Sequence, residues 1–509
     1  MKMRLLFGHP VHFGNVLLGT AILAASAACG SSSPSAGSSG ADGFDSSSGG
    51  PTGPGTPDGP SGALTDAGPD GSSIPPDGGG DAAVTPPYVY QHFDVNHVLS
   101  TGQSNAVAND GKPILSMSQP YANVMFNSGI MTGTSCDGDG CTAYQKPTSF
   151  LPLIEGDNFF SYGIETMSAG LANEASKLAK EKYLVGKPVS THNVLVSLHG
   201  RSGNGYWCLR KGSCDWWPTR GYIKPFDEGM MQVADGLALS TAAAKSYVVR
   251  AVTAIHGEHD HYGNEGYFPL PGTDGVSSIV DYSHGLEEWQ RDYEAGVKAI
   301  TAQTIPVPLF VSQYSHWNDR PTTKIAYGQL AAHVRSKGKV IVIGPTYVLP
   351  YSSDCLHFKG EGERHLGEYF AKAYARVVLE GKPWEPLRPT AITIQGNVVT
   401  AKFLVPKPPL VLDTQKVSNP GNYGFELTDD SGAPPAITNV ALAGPDTVTI
   451  TLASAPTGAN KRLRYAYTFN GCAGSGTIAR GNLRDSDDTP SQSGYDLSNW
   501  SVHFDEPIP

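Results

Sequence analysis

Between about Tyr88 and Glu380, short apolar runs alternate with longer stretches of helical periodicity, and this alternation limits the fold more than any other feature of the chain. Runs at His97–Ser100, Asn123–Phe126, Val194–Leu198, Tyr247–Ile255, Val307–Val311 and Val340–Ile343 have the length of strands. Helical patterns occupy Glu165–Lys182, Asp227–Ala244, Leu286–Thr301 and Thr322–Ser336. A last one carries Leu366, Phe370, Ala373, Tyr374 and Val377 on one face and is stopped by Gly381 and Pro383. Parallel strands need crossover helices, so this order predicts an α/β domain with a parallel sheet over residues 88–385. After Pro389 the period drops to two. Thr447–Leu452 alternates strictly and Arg462–Phe469 nearly so, with Gly, Pro and Asn turns between such runs. Residues 386–509 are therefore expected to form a small β-sandwich.

The segments before Tyr88 have a different character. Lys2 and Arg4 precede an apolar run from Val16 to Ala25 that is too short to span a bilayer, as in an export signal over residues 1–28. Ser26, Ala27 and Ala28 then lead into Cys29, which resembles a bacterial lipoprotein signal in which Cys29 is the acylated first residue. Ser26 stands where Leu is usual, and cleavage after Ala-Ser-Ala with free secretion is the alternative. Residues 29–87 are rich in Gly, Ser, Pro and Asp with few bulky apolar groups. Such a segment cannot bury enough surface to offset its ordering entropy, so it is expected to act as a disordered spacer spanning roughly 40 Å.

This spacer changes the meaning of the charge. The chain carries 36 Lys+Arg against 47 Asp+Glu, a formal net charge of -11. Seven of those acids (Asp42, Asp45, Asp58, Asp66, Asp70, Asp77 and Asp81) lie in the spacer with no basic residue among them. The remaining body is nearly balanced. The balance excludes a nucleic-acid binder, which needs a basic face to neutralise phosphates.

Three segments sit at or just after expected strand ends, where the loops of an open parallel sheet converge on ligands. In Leu99-Ser-Thr-Gly-Gln-Ser-Asn105 a strand runs into a tight turn carrying Ser104. A serine hydroxyl becomes a nucleophile only when a base takes its proton and amides stabilise the oxyanion. In Ser353-Asp-Cys-Leu-His-Phe358, Asp354 and His357 are three residues apart in a loop, so the carboxylate can hold the imidazole Nδ1–H while Nε2 faces Ser104. Each segment taken alone is also explained by a capped turn or a surface Asp–His pair.

Taken together, the Gly-Gln-Ser-Asn block and Asp354-x-x-His357, trailed by Phe358, Gly362, Arg364, Leu366 and Gly367, resemble the SGNH (GDSL-like) hydrolase superfamily, and within it the sialate O-acetylesterase-like and acetylxylan esterase group. The resemblance covers roughly Asn96 to Val378. It implies a flavodoxin-like three-layer sandwich, Ser104 as nucleophile, His357 as base and Asp354 as its orienting acid, with no cofactor. Val194-Leu-Val-Ser-Leu-His-Gly-Arg-Ser-Gly203 matches the family's second block, which makes Gly200 the expected backbone oxyanion donor beside Ser104, with Gly203 a lesser candidate. Ala254-Ile-His-Gly-Glu-His-Asp260 is similar to a block that usually reads Gln-Gly-Glu-Ser-Asp. His256 replaces the Gln and is the third expected oxyanion donor, while Glu258 and Asp260 match the pattern and buttress the loop. Gln103, Asn105 and Glu258 are expected as supporting residues.

Other features leave choices open. His256, Glu258, His259, Asp260 and His261 are a dense run of metal-ligand types, but neighbours on one strand end rarely point at one ion, and no metal is expected. Asp137-Gly-Asp-Gly140 hints at calcium, with a stapled turn between Cys136 and Cys141 as the simpler account. Of seven cysteines, Cys136–Cys141 and Cys208–Cys214 are close enough for local staples, which leaves Cys355 with Cys472; free thiols remain the alternative. Tyr206, Trp207, Trp216, Trp217, Tyr314 and Trp317 suit either sugar stacking or core packing. The expectation is an exported, lipid-anchored or secreted serine esterase acting on an O-acetylated glycan. A glycan-binding surface lipoprotein with little catalysis, or an esterase for lipid or aryl esters, is the alternative.

Overall fold

The structure is a computed structural model that describes residues 88–132, 144–156, 163–212, 223–262, 268–316, 324–468 and 478–509. Of the two units into which the chain divides, Val84–Pro509 contains all the described residues, and Met1–Ala83 lies outside them. The signal, Cys29 and the spacer therefore fall outside the description. So do Cys136, Cys141, Cys214 and Cys472, the Asp137–Gly140 turn, and Trp216, Trp217 and Trp317.

The strands are β1 (Val95–Gly102), β2 (Val124–Phe126), β3 (Phe150–Pro152), β4 (Val194–Leu198), β5 (Tyr247–Ile255), β8 (Leu309–Gln313) and β9 (Val340–Pro345), with β6 (Leu270–Pro271) and β7 (Ser278–Ile279) as a small hairpin. Six of them form at the apolar runs, and β3, β6 and β7 form where no run was expected. The helices are α1 (Met167–Leu178), α2 (Tyr206–Leu209), α3 (Pro225–Ala242), α4 (Glu258–Tyr262), α5 (Tyr282–Thr301), α6 (Ile325–Ser336) and α7 (Gly360–Tyr374). The sheet order is β3-β2-β4-β1-β5-β8-β9. Its pairings are parallel throughout except at the edge, where β3 runs antiparallel to β2.

Both faces of the sheet are covered, which explains why the central strands read as unbroken apolar runs. Val98, Val196, Ala251, Phe310 and Ile341 point into one core with Leu171 and Ala175 of α1 and Leu366 and Phe370 of α7. Their neighbours Leu99, Leu195, Val252, Leu309 and Val340 point into the other, with Phe226 of α3, Trp289 and Tyr293 of α5 and Ile325 of α6. The first layer is tight because glycines let α1 and α7 touch. A Cβ on Gly367 would lie 2.1 Å from the Met167 carbonyl, and one on Gly170 would lie 2.3 Å from that of Arg364.

The period-two region forms antiparallel sheets. β10 (Arg388–Gln395), β11 (Val398–Leu404), β14 (Ile437–Leu442) and β15 (Thr447–Leu452) order as β10-β11-β15-β14. β13 (Phe425–Thr428), β16 (Arg462–Tyr465) and β18 (Phe504–Pro507) form a second sheet, and β12 (Val411–Leu412) pairs with β17 (Leu483–Arg484). The buried sides of the two larger sheets meet at Phe403 and Phe504, whose rings are 6.1 Å apart.

This region is joined to the α/β part by buried polar contacts. Gln313 at the end of β8 donates to the His503 carbonyl and accepts from the His503 N–H. Tyr347 donates to the Ser501 carbonyl, and fully buried Arg480 donates to that of Ser315 at 2.6 Å. The β-rich segment thereby braces the loops that follow β8 and β9.

Candidate active site

β1 is the switch point of the sheet. The chain leaves it toward β2 and β4 on one side and later returns to β5 on the other, so the carboxyl end of β1 opens into a crevice between diverging loops. Ser104 stands there, 7% exposed. Gly102 takes φ +133°, and a Cβ on it would lie 2.0 Å from the Ile255 carbonyl, so only glycine lets β1 close onto the end of β5. The Gln103 carbonyl accepts from Ala106 and Val107, and that of Ser104 accepts from Asn109, which makes the tight turn the sequence implied.

The last loop supplies the acid–base pair. His357 Nδ1 lies 2.6 Å from Asp354 Oδ2. Asp354 Oδ1 accepts from the N–H groups of Leu356 and His357 at 2.9 and 3.0 Å and from the Ser352 hydroxyl at 2.7 Å. Partial burial pushes the Asp354 carboxyl up. The hydrogen bonds from the His357 and Leu356 amides, the Ser352 hydroxyl and the imidazole more than offset this and hold it at about 2. An aspartate so held stays ionised at neutral pH and fixes the imidazole with its proton on Nδ1, leaving Nε2 as the acceptor.

Asn105 ties this loop to the serine turn. Its Nδ2 donates to the Leu356 carbonyl at 3.1 Å and to Glu258 Oε1 at 2.7 Å, and its Oδ1 accepts from the Phe358 N–H at 3.3 Å. The residue after Ser104 thus grips the peptides on both sides of His357. Gln103, on the other flank, accepts from the His259 N–H at 3.0 Å. Gln103 and Asn105 therefore lock three loops around Ser104. Among the described residues the Ser104 hydroxyl makes no hydrogen bond; such contacts commonly tighten only with substrate in place.

Gly200 follows β4 and lies against the same turn, where a Cβ would approach the Gly102 carbonyl to 2.9 Å. Its orientation is set by a pair that the sequence did not reveal. Buried Arg201 donates from Nη1 to the carbonyls of Gly200 at 2.9 Å and His199 at 3.5 Å, and its Nη2 pairs with buried Glu228 at the start of α3. A trans peptide points its N–H opposite its C=O. With the His199 carbonyl turned to the guanidinium, the Gly200 N–H faces the other way, and it has no acceptor among the described residues. Gly203 is exposed with φ +65° and serves the turn beyond.

His256 departs from its expected place. Its Nε2 faces the Asn204 carbonyl at 3.1 Å and so carries the proton, while Nδ1 accepts from the Tyr282 hydroxyl at 2.8 Å. Asp260 Oδ2 lies 3.4 Å from Nε2 and also accepts from the Tyr206 N–H. Complete burial holds the ring down to about 3, so it is neutral. Both nitrogens are engaged, and neither is free to donate to an oxyanion. His256 instead staples the loop after β5 to the loop after β4.

The side chains from His256 to Asp260 likewise turn to separate partners: His256 to Tyr282, Glu258 to Asn105, and Asp260 to Tyr206 and His256. Among the described residues, the one group of ligand types spaced for an ion is Asp110, Asp354 and His357, which overlaps the acid–base pair. Tyr206 is packed against Trp289 with its hydroxyl on Glu288, and Tyr314 is buried, so both are core residues and not exposed sugar platforms. Trp207 is half-buried. Cys208 and Cys355 are not free thiols, and the partners expected for them lie outside the described residues.

No protein-family model and no curated protein matches the chain. Solved structures share broad features of it. A carbohydrate acetylesterase from Xanthomonas citri is 12% identical, with 81% of this chain and 80% of that one covered at a TM-score of 0.47. An aryl esterase from M. smegmatis is 12% identical, with 54% and 97% covered at 0.28. A carbohydrate acetylesterase from Sinorhizobium meliloti is 9% identical, with 55% and 99% covered at 0.27. Scores this low leave the activity to be argued from the site itself.

Proposed function

We propose that the protein is a serine esterase of SGNH type that removes O-acetyl groups from a carbohydrate. The observation that carries this is the Asp354–His357 pair, bonded at 2.6 Å and joined through Asn105 to the turn bearing Ser104. Ser104 Oγ attacks the acetyl carbonyl carbon while His357 Nε2 takes its proton. The amides of Ser104 and Gly200 receive the oxyanion. Collapse breaks the bond to the sugar oxygen, which leaves with the proton from Nε2, and the acetyl group stays on Ser104. Water, deprotonated by the same imidazole, then releases acetate. Asp354 holds the tautomer and stabilises the imidazolium in both halves.

The acetyl and carbohydrate terms rest on the motif resemblance, as does the SGNH assignment; the C-terminal β-sandwich rests on the period-two alternation after Pro389. Export with Cys29 as a lipid-bearing residue belongs to the same proposal. Among the described residues no helix is long and apolar enough to cross a membrane. Acetate release from acetylated xylan, O-acetyl sialic acids and 4-nitrophenyl acetate, each with wild type and Ser104→Ala, tests it. Equal release by the two proteins refutes the esterase. Release from the aryl ester alone removes the carbohydrate term.

A further inference from the structure

The Ser352 hydroxyl has one proton and two carboxylates to give it to. Its Oγ lies 2.7 Å from Asp354 Oδ1 on its own loop and 2.7 Å from Asp110 Oδ2 on the turn that follows Ser104. A hydroxyl donates once, so one of the two contacts sets a lone pair against an anion unless positive charge stands close by. His357 is that charge when its ring holds two protons. An Asp110 oxygen, an Asp354 oxygen and a His357 ring nitrogen all lie within 4.8 Å of one another. Asn105 joins the serine turn to the loop of His357 on the buried side, and Asp110 with Ser352 joins the same two segments on the solvent side. Asp110 is exposed, so packing makes no demand for an acid there.

We propose that Asp110 is a second carboxylate for His357, a positioning residue that the Ser352 hydroxyl holds beside the imidazole so that two acids steady the imidazolium. This rests on the serine-esterase reading above. During attack the proton passes from Ser104 Oγ to His357 Nε2, the ring gains a full positive charge, and no proton moves onto either carboxylate. An opposite charge within about 4–6 Å favours the charged form of its neighbour. The crowding of two anions on one hydroxyl is relieved at the same moment, so the interaction is stronger in the transition state than before it.

The other groups that face the ring do not compete for this role. Asp354, on its own loop, is bonded to Nδ1 and held at about 2, so it stays ionised. His316, after β8, is held down to about 3 by burial and then by the charge of Arg480, so it is neutral and adds no second cation. Glu258, at the start of α4, comes from the buried side, where Asn105 Nδ2 holds it at 2.7 Å. Asp110 is the acid that reaches the ring from solvent.

Asp110→Asn tests the charge, because the amide keeps the size of the side chain and its bond to Ser352, and the exposed position keeps the fold. The readout is kcat/KM against pH with 4-nitrophenyl acetate. The acid limb is expected to move to lower pH by about half a unit, the effect of one charge at that distance through water. Low salt widens the separation from wild type and high salt narrows it, since an exposed pair is screened. Ser352→Ala leaves Asp110 unheld, so adding Asp110→Asn to it is expected to move the limb by clearly less than the same change does in wild type. An unmoved limb in Asp110→Asn overturns the proposal whatever happens to the rate. A separation indifferent to salt, or equal shifts in the two backgrounds, overturns it as well. Failure of the esterase reading is seen separately, as activity that survives Ser104→Ala.

Discussion

The orientation of the Gly200 amide depends on a buried ion pair, so breaking that pair in two ways separates stability from catalysis. Arg201 and Glu228 side chains are 3% and 1% exposed. Arg201→Met strands the Glu228 carboxylate without its cation, a change that destabilises by about 3–5 kcal/mol. Whole-protein stabilities are on the order of 5–15 kcal/mol, so this variant unfolds at markedly lower urea. The double variant Arg201→Met with Glu228→Leu removes the stranded charge and is expected within about 2 kcal/mol of wild type. Its catalysis should not recover. The carbonyls of His199 and Gly200 have lost the guanidinium donor that holds them, so the Gly200 N–H, the proposed oxyanion donor, is no longer fixed in place. Removal of one such donor lowers kcat by about 100-fold or more. Urea melts followed by tryptophan fluorescence, paired with kcat on 4-nitrophenyl acetate, read both quantities. A double variant with stability and kcat both near wild type refutes the claim that Arg201 orients the oxyanion donor.

Two further outcomes follow from the packing around the site. Burial holds His256 down to about 3, whereas an unfolded histidine takes up a proton near 6.5. The folded state therefore loses stability through this residue as pH falls below about 6.5, by about 1.4 kcal/mol per unit until the folded value is reached. His256→Gln removes that dependence, so its stability gap from wild type narrows between pH 7 and pH 5; a constant gap in urea melts contradicts the burial argument. Gly367→Ala forces a Cβ to 2.1 Å from the Met167 carbonyl and 2.6 Å from the Leu171 amide. The two helices must part, with an expected loss of about 3 kcal/mol; a variant melting with wild type shows that α1 and α7 separate freely.

Periodicity made the sheet legible because buried strands and amphipathic helices each repeat along the sequence. The apolar runs at Val194–Leu198 and Tyr247–Ile255 became β4 and β5 without adjustment. The i, i+3 spacing of Asp354 and His357 likewise carried their contact, since a loop that short brings the two side chains together. What escaped was long-range and polar. Nothing near Arg201 in sequence announces Glu228 on α3, and Tyr282, which occupies one nitrogen of His256, lies 26 residues on. The substitution pattern at His256 suggested a donor aimed at substrate, but complete burial gave the ring two protein partners instead. Asn105 read as part of a motif, and only the fold shows that it spans Glu258, Leu356 and Phe358. The edge strand β3 has no sequence signal because its three residues, one half-buried and two exposed, carry no period.

The central claim is that Ser104 is the nucleophile and His357 its base, and covalent labelling tests it most directly. Wild type treated with a fluorophosphonate is expected to carry one adduct, located by mass spectrometry on the peptide containing Ser104. Ser104→Ala should carry none, and His357→Ala should label far more slowly. An adduct on another serine, or equal labelling of wild type and Ser104→Ala, contradicts the assignment.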